Sequence, residues 1–212
     1  MKAKRLAFAK KYAQWDEHQW GKVLFTDESS IQQFAARKHN IRRPAGTRFE
    51  ERYIQATIKH PSSVMVCGGM SAKGTAGLFF LPKGTTMNGA KYLEVLKEKL
   101  QLHMAVHNCE IFMQDGAPCH RSKIVNDFLK GMNITTLDWP GNSPDLNPIE
   151  NLWSLLKDKV ADKQPTSEKD LIKAIKDVWV LNIPADFCKS LVDSMPRRLM
   201  AVLKAKGGRT KY

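Results

Sequence analysis

The sequence predicts an α/β domain in which helices flank a mixed central β-sheet. Its 212 residues are enough for one well-packed domain, and an apolar content of 42% is typical of a globular chain rather than a disordered one. Apolar residues with strand-like or helix-like spacing occur in the order three strands, helix, strand, helix, strand and then helices. This order favours a sheet whose faces are covered by helices.

The first elements are predicted from apolar spacing and charge. Residues 3–20 combine basic residues with apolar ones at near-helical spacing, which predicts a basic leading helix. The stretch VLFTDES indicates a short buried strand from Val23 to Phe25 that ends at Asp27. From Gln33 to His60 the chain is strongly basic, with a proline and a glycine at a turn, and this pattern predicts an extended basic hairpin.

The rest of the chain alternates strands and helices and then becomes helical. The predicted elements are a strand at 62–71, a turn at Lys73 and Gly74, a strand at 76–82, a helix at 88–107, a strand at 109–115, a helix at 122–130 and a strand at 133–140. Three helices should follow: 147–163 with Asn147 as N-cap, 166–182 opened by a Thr-Ser cap, and 185–206 interrupted near Pro196. This element order is that of an RNase H-like (retroviral integrase-like) fold with an inserted basic hairpin.

Charge and composition narrow the class of partner. Lys and Arg number 34 against 21 Asp and Glu, and the resulting net charge of +13 indicates a polyanion such as nucleic acid or an acidic membrane surface. No run of 18 apolar residues and no signal-peptide pattern occurs, so we expect an intracellular protein with no membrane partner. The cysteines lie far apart without a CxxC pair, which argues against a zinc knuckle and predicts reduced thiols.

Three carboxylates stand where a sheet of this kind binds ligands. Asp27 and Asp115 each follow an apolar strand, and Glu150 lies in the first turn of a predicted helix, off its apolar face. Clustered carboxylates repel one another unless a cation or arginines neutralise them, and ligation by oxygen alone suits Mg²⁺ or Mn²⁺. Two such ions, about 4 Å apart, activate the attacking group and stabilise the leaving oxygen in phosphodiester chemistry. We therefore expect a two-metal site.

Three blocks of sequence resemble a known family. VLFTDES, QDGAPCH and WPGNSPDLNPIENLW are similar to the catalytic blocks of mariner-superfamily DDE transposases, in the branch that includes Sleeping Beauty. The 34 residues between Asp115 and Glu150 match the D, D, E spacing of that branch. The SMPRRL stretch near the end of the sequence also resembles the family's closing helix, so the resemblance extends over essentially the whole chain.

The resemblance implies a DNA transposase catalytic core. It would cut phosphodiesters at the ends of an element with metal and transfer the freed ends into TA target DNA, acting in the nucleus as a homodimer on double-stranded DNA. Asp27, Asp115 and Glu150 would hold two Mg²⁺ or Mn²⁺ ions, with Asp27 bridging both. Residues 1–20 would be a basic linker and 21–212 the catalytic domain, with a clamp loop at about 33–60. The family's N-terminal helix-turn-helix modules are expected to be absent from this sequence.

Further residues are candidates for supporting roles. His120 and Asn147 are possible auxiliary residues near the acids, whereas Trp139 and Trp153 are predicted to pack and Asp145 to form an Asx turn. DNA contacts are predicted for the following basic residues: Arg37, Lys38, Arg42, Arg43, Arg48, Arg52, Arg121 and Lys123. Two alternatives stay open at this point: an RNase H-like nuclease that cleaves RNA in hybrids, and a domesticated remnant that binds DNA without chemistry.

Overall fold

The computed structural model describes residues 1–33, 42–47, 49–53 and 61–212. Its helices are α1 (Lys2–Lys11), α2 (Glu17–Gly21), α3 (Gly89–His107), α4 (Lys123–Gly131), α5 (Ile149–Asp162), α6 (Glu168–Leu181), α7 (Ala185–Val192) and α8 (Met195–Lys204). Its strands are β1 (Val23–Gln32), β2 (Ser63–Ser71), β3 (Gly74–Thr75), β4 (Phe79–Phe80), β5 (Ile111–Met113) and β6 (Thr135–Thr136). Two short 3₁₀ turns cover Glu51–Tyr53 and Pro144–Leu146.

The strands form one mixed sheet, as predicted. The order across the sheet is β3, β2, β1, β5, β6, and β4 also pairs with β2. The long central strand β1 runs antiparallel to β2 and parallel to β5, which in turn runs parallel to β6. Because a parallel pair needs a crossover connection, the chain leaves the sheet after β4 and returns at β5 through α3.

Both faces of the sheet are covered by helices. Side chains of a strand alternate between faces, so Val23 and Phe25 pack in one core while Leu24 packs in the other. The larger core includes the apolar faces of α1, α5, α6, α7 and α8. The smaller core includes those of α3 and α4. The same alternation directs Asp27 toward the α5 side and Glu28 toward the α3 side.

The helices begin and end where local signals place them. Asn88 caps α3, since its Oδ1 accepts the Lys91 backbone N–H at 3.0 Å, and Asn108 ends it in the left-handed conformation at φ 51°. Ser167 caps α6 by accepting the Asp170 N–H at 3.1 Å, which confirms the predicted Thr-Ser cap. The predicted break near Pro196 is also confirmed, because this proline lies in the first turn of α8.

Several sequence-based predictions of element boundaries were wrong. β1 continues to Gln32 instead of ending at Asp27, because its polar second half pairs with β2. The leading helix is two helices, since Asp16 forms a capping box with Gln19 and starts α2. The strands predicted at 76–82 and 133–140 are each reduced to two residues. The predicted cap of α5 is kept, because Asn147 is extended and its side chain accepts the Ile149 N–H, whereas Pro148 already has helical backbone angles.

The predicted basic clamp hairpin, residues 33–60, falls largely outside the described residues. Within that segment, only 33, 42–47 and 49–53 are described. None of the helices in the described ranges has the length and apolar character needed to cross a bilayer.

Candidate active site

Asp27, Asp115 and Glu150 line one small cavity. Its volume is about 170 Å³, and its wall also includes Trp139 and Asn147. β1 and β5 are parallel, with Phe25 opposite Met113. Asp27 and Asp115 therefore occupy equivalent positions, each two residues after one of these paired residues. Asp115 thus follows the end of β5 beside Asp27 of β1, and both carboxylates line the same cavity. The structure brings the three predicted acids together.

Glu150 reaches the cavity from the first turn of α5. Ile149, Leu152 and Trp153 of this helix are buried against the sheet, and Glu150 is exposed beside them. A carboxylate in the first helical turn is also favoured by the helix dipole. The short turn Pro144–Leu146 leads into the helix, and the Asn147 side chain accepts the Ile149 backbone N–H at 3.4 Å. That bond fixes the start of α5 just before the glutamate.

Asp27 lies in surroundings that disfavour its charge. Burial raises the pKa of Asp27, and the neighbouring carboxylates Glu150, Glu28 and Asp115 raise it further, to about 7. No ion pair joins Asp27 to a basic side chain among the described residues. A cation bound in the cavity would remove this repulsion.

His120 forms hydrogen bonds to the carboxylates of Asp115 and Glu28. Its Nδ1 lies 2.7 Å from Asp115 Oδ1 and its Nε2 lies 3.2 Å from Glu28 Oε1, while its ring packs 4.1 Å from that of Tyr92. Burial alone would lower the pKa of His120, but the hydrogen bonds to Asp115 and Glu28 raise it to about 10. The imidazolium therefore donates both N–H groups at neutral pH, and the hydrogen bond from His120 lowers the pKa of Asp115 despite its partial burial.

These contacts leave one oxygen of Asp115 free for a ligand. Oδ1 accepts the Ala117 backbone N–H at 2.8 Å in addition to His120. In the described part of the chain, Oδ2 has no hydrogen-bond partner. The carboxylate is thus fixed through one oxygen and presents the other.

The donors fit a hard divalent cation. All three side chains offer oxygen only, which suits Mg²⁺ or Mn²⁺, and the raised pKa of Asp27 shows that positive charge is lacking there. Over the described ranges, no group of three or more His, Cys, Asp and Glu side chains is close enough to form a complete metal-binding site by itself. Mg²⁺ does not need one, because it keeps several waters and usually takes one or two protein carboxylates together with substrate phosphates.

A buried ion pair supports the loop that leads to Glu150. Asp145 accepts two hydrogen bonds of 2.7 Å from the Arg5 guanidinium and one of 2.9 Å from the Thr210 N–H. Arg198 donates to the Asp145 carbonyl at 3.0 Å and to Asn151 Oδ1 at 2.6 Å. The predicted Asx turn at Asp145 was therefore wrong, because the side chain bonds to the two ends of the sequence instead of to its own loop.

Comparison with known proteins decides the family. A family model described as "DDE superfamily endonuclease" matches residues 22–173. The chain belongs to the DDE superfamily of endonucleases. Among relatives of this DDE endonuclease, the Tcb2 transposase of Caenorhabditis briggsae is 34% identical over 212 residues, covering 98% of this chain and 77% of that protein. The Tc1 transposase of Caenorhabditis elegans is 32% identical with the same coverage of both chains.

Solved structures show the same fold. The crystal structure of the Mos1 mariner transposase catalytic domain has a TM-score of 0.73 at 20% identity, covering 99% of this chain and 93% of that one. A Mos1 paired-end complex has a TM-score of 0.84 at 19% identity and again covers 99% of this chain. The DDE endonuclease spans 63% of the Mos1 chain in that complex.

These findings confirm the sequence-based identification at several levels. The chain is a member of the mariner-type DDE transposases, its fold is the RNase H-like one, and its enzyme class is that of a cut-and-paste transposase catalytic domain. The roles of individual site residues stay predictions, now with a defined geometry.

The other predicted residues of this DDE endonuclease lie in varied places. His120 is buried beside the acids, and the Asn147 side chain lines the cavity while bonding to Ile149 and not to Glu150. Arg42, Arg43 and Arg121 are exposed, and so is Lys123, whose ammonium lies 2.6 Å from Asp127. Arg37, Lys38 and Arg48 lie outside the described residues, as does the side chain of Arg52.

Sequence reasoning missed Glu28, Arg5 and Arg198. Glu28 follows Asp27 directly, and its position on the opposite face of β1 was a usable signal once the strand is known to continue. Arg5 and Arg198 reach Asp145 from 140 and 53 residues away, so local sequence gives no sign of them.

Proposed function

We propose that this domain cuts phosphodiesters at the ends of a transposable element and joins the freed 3′-hydroxyls to TA target DNA. The observation that carries the proposal is the single cavity lined by Asp27, Asp115 and Glu150, in a chain that belongs to the DDE endonucleases. The relatives are transposases by name, and a Mos1 strand transfer complex shares the fold at a TM-score of 0.80.

Two Mg²⁺ or Mn²⁺ ions are the proposed cofactors, held by Asp27, Asp115 and Glu150. Solved structures of the Mos1 catalytic domain include one with Mg and one with Mn. When bound, such ions would supply charge stabilisation for the attacking and leaving oxygens of the displacement. Asp27 would be the ligand shared by both ions, as the family resemblance implies.

The chain's own residues position the acids. His120 and the Ala117 N–H hold Oδ1 of Asp115, so Oδ2 keeps a fixed direction. The Asn147 bond to Ile149 fixes the first turn of α5, which carries Glu150. Asp27 is held in the middle of β1 by pairing with Gly68 on β2. Three rigid elements therefore present three carboxylates to one small space, which favours a fixed reaction geometry.

Double-stranded DNA is the proposed partner, with two copies of the chain acting together on paired ends. The net charge of +13 supports a polyanionic partner, and the matched Mos1 structures include paired-end complexes with DNA. Since chromosomal DNA is the target of such a reaction, the nucleus is the proposed location.

A strand-transfer assay tests the proposal. A pre-cleaved terminal fragment of the encoding element is incubated with a supercoiled plasmid, Mn²⁺ and either the wild-type protein or the Asp27→Asn variant. We expect joining at TA sites by the wild type only, with thermal unfolding and DNA binding of the variant nearly unchanged. Asp186→Asn, an exposed carboxylate of α7, is the matched control and should join DNA normally.

The same assay separates the alternatives. If the wild type cleaves the RNA strand of a hybrid in preference to acting on DNA ends, the domain is an RNase H-like nuclease. If it binds DNA with no Mn²⁺-dependent chemistry, it is a DNA-binding remnant. Normal joining by Asp27→Asn would refute the assignment of the acids.

A further inference from the structure

A second and larger cavity lies beside the acid cavity. Its volume is about 840 Å³, and we call it the basic groove. One wall is a face of α1, where Lys4, Phe8 and Lys11 follow at helical spacing. The opposite walls are the loop that follows Asp115, including Arg121, and the loop of residues 138–142. None of the three predicted catalytic blocks assigns a role to α1, so this wall is new to the site.

The basic groove and the acid cavity are adjacent. Asp115, Trp139 and Asn142 line both of them. The partition between the two spaces is therefore thin and includes an aromatic side chain. A DNA strand bound at Asp115 would therefore lie at the boundary of both spaces.

The charges on the groove walls suit phosphate. Lys4 and Arg121 are exposed there, and neither forms an ion pair with a carboxylate in the described ranges. Lys11 lies 3.8 Å from Asp138, whose side chain is 83% exposed, so this pair is weak and open to competition. Two unpaired cations and one loosely paired cation thus face a space next to the acids.

Trp139 gives the groove an apolar surface. Its ring is half-buried and meets that of Phe8 edge-on at 5.2 Å between centroids. This contact fixes the indole against α1, and its remaining surface lies on the groove wall. A fixed aromatic ring beside unpaired cations is the combination by which proteins bind single-stranded nucleic acid, with bases stacked on the ring and phosphates on the cations.

We infer that the basic groove holds an unpaired segment of the DNA strand next to the scissile phosphate, with a base on Trp139 and phosphates on Lys4 and Arg121. Its volume of about 840 Å³ falls within the usual range for small-ligand pockets, which suits a short unpaired stretch and not a duplex. The inference rests on the proposed function, because it assigns the strand that the three acids would act on. Binding of the strand in the basic groove would make α1 a part of the substrate-binding surface.

Binding without metal tests the groove independently of catalysis. Two fluorescent DNA probes are compared in EDTA by anisotropy: a blunt duplex and the same duplex with a six-nucleotide single-stranded overhang. We expect the wild type to prefer the overhang, and the double variant Lys4→Glu with Arg121→Glu to lose that preference with at least about tenfold weaker overhang binding. The control, Lys97→Glu with Lys173→Glu, makes the same charge change at exposed positions outside the groove and should keep the preference.

Photocrosslinking identifies the stacking residue. An overhang that carries 5-iododeoxyuridine should crosslink to Trp139, and Trp139→Ala should weaken overhang binding by about tenfold or more, while Trp139→Phe retains most of it. Thermal unfolding of both variants shows whether the packing on Phe8 has survived. Equal binding of both probes by the wild type, or crosslinks confined to residues outside the groove, would overturn the inference.

The outcome is separable from that of the proposed function. Loss of joining in Asp27→Asn together with unchanged overhang binding by the groove variants would refute the groove alone. Overhang binding at Trp139 by a protein that joins no DNA would refute the proposed reaction and leave the groove in place.

Discussion

Asp27 and Asp145 are aspartates in opposite electrostatic surroundings. Burial and three neighbouring carboxylates raise the pKa of Asp27 to about 7. Asp145 is also desolvated, but hydrogen bonds from Arg5 and Thr210 outweigh this effect and lower its pKa. Asp145 lies close to Glu150 in sequence, yet its charge is already neutralised by Arg5. Of these two aspartates, Asp27 is the one whose charge is not compensated by a basic side chain. Asp145 is already paired with Arg5 and therefore has a structural role.

Asp145→Asn should destabilise the fold by about 3 kcal/mol at pH 7, because it leaves the buried Arg5 guanidinium without its counter-ion. The folded-state pKa of Asp145 lies below its ordinary value of 3.8, so the stabilisation is present above that value and is lost as pH falls through the folded pKa. The gap between wild type and variant should therefore shrink below about pH 4. Urea unfolding at pH 7 and at pH 3 measures both.

Glu110→Gln is the matched control for this prediction. Glu110 also has a 2.7 Å bond to a cation, Lys22, but its side chain is 66% exposed. We expect a much smaller change at pH 7 than that of Asp145→Asn, because solvent screens an exposed pair. An Asp145→Asn effect no larger than that of the control would contradict a supporting role for the buried pair.

Helix α5 contacts the sheet at a glycine. Gly68 on β2 pairs with Asp27 on β1, and a Cβ at Gly68 would lie 2.7 Å from Cη2 of Trp153. Trp153 stacks in turn on Trp179 of α6 at 5.1 Å. The helix that carries Glu150 thus rests on the strand position opposite Asp27. The spacing between two of the acids depends on this close approach.

Gly68→Ala should push α5 away from the sheet. We expect a loss of about 1–3 kcal/mol in the free energy of unfolding, from overpacking against Trp153, together with reduced Mn²⁺-dependent joining. Gly131→Ala is the control, because nothing lies within 4 Å of its added Cβ at the end of α4, and it should be neutral or stabilising by up to about 1 kcal/mol. Thermal unfolding and the joining assay together check this, and equal behaviour of the two variants would contradict it.

The sheet also shows which features the sequence could predict. Asp115 was found because β5 is a short apolar strand followed at once by polar residues, and α5 because its apolar residues keep helical spacing. The second half of β1 was missed because residues 28–32 have no continuous apolar pattern. They are held in the sheet by pairing with β2, more than 30 residues later. Pairing of that kind depends on tertiary contacts that local spacing does not encode.

Charge and metal have separate roles in the whole molecule. In the proposed function, the net charge of +13 would act on the DNA backbone through many weak contacts, whereas the acid cavity is a local feature of about 170 Å³. The basic groove would connect the two, since it shares Asp115 with the cavity and its walls carry Lys4 and Arg121. Binding and chemistry should therefore respond to different conditions.

Removal of metal should stop joining and leave DNA binding within about twofold, because phosphate contacts by Lys and Arg need no Mg²⁺. Raising salt from 50 to 200 mM should instead weaken binding by at least about tenfold, through displacement of those contacts by counterions. Anisotropy with a labelled duplex, with and without EDTA, measures both effects. Binding that needs Mg²⁺, or that is insensitive to salt, would contradict this division.

A crystal soaked in Mn²⁺ and measured for anomalous scattering would show whether the three acids form a metal site. We expect one or two manganese peaks within about 2.3 Å of oxygen atoms from Asp27, Asp115 and Glu150, with His120 still bonded to Oδ1 of Asp115. Manganese bound only elsewhere, with the three carboxylates free of metal at saturating Mn²⁺, would contradict the account.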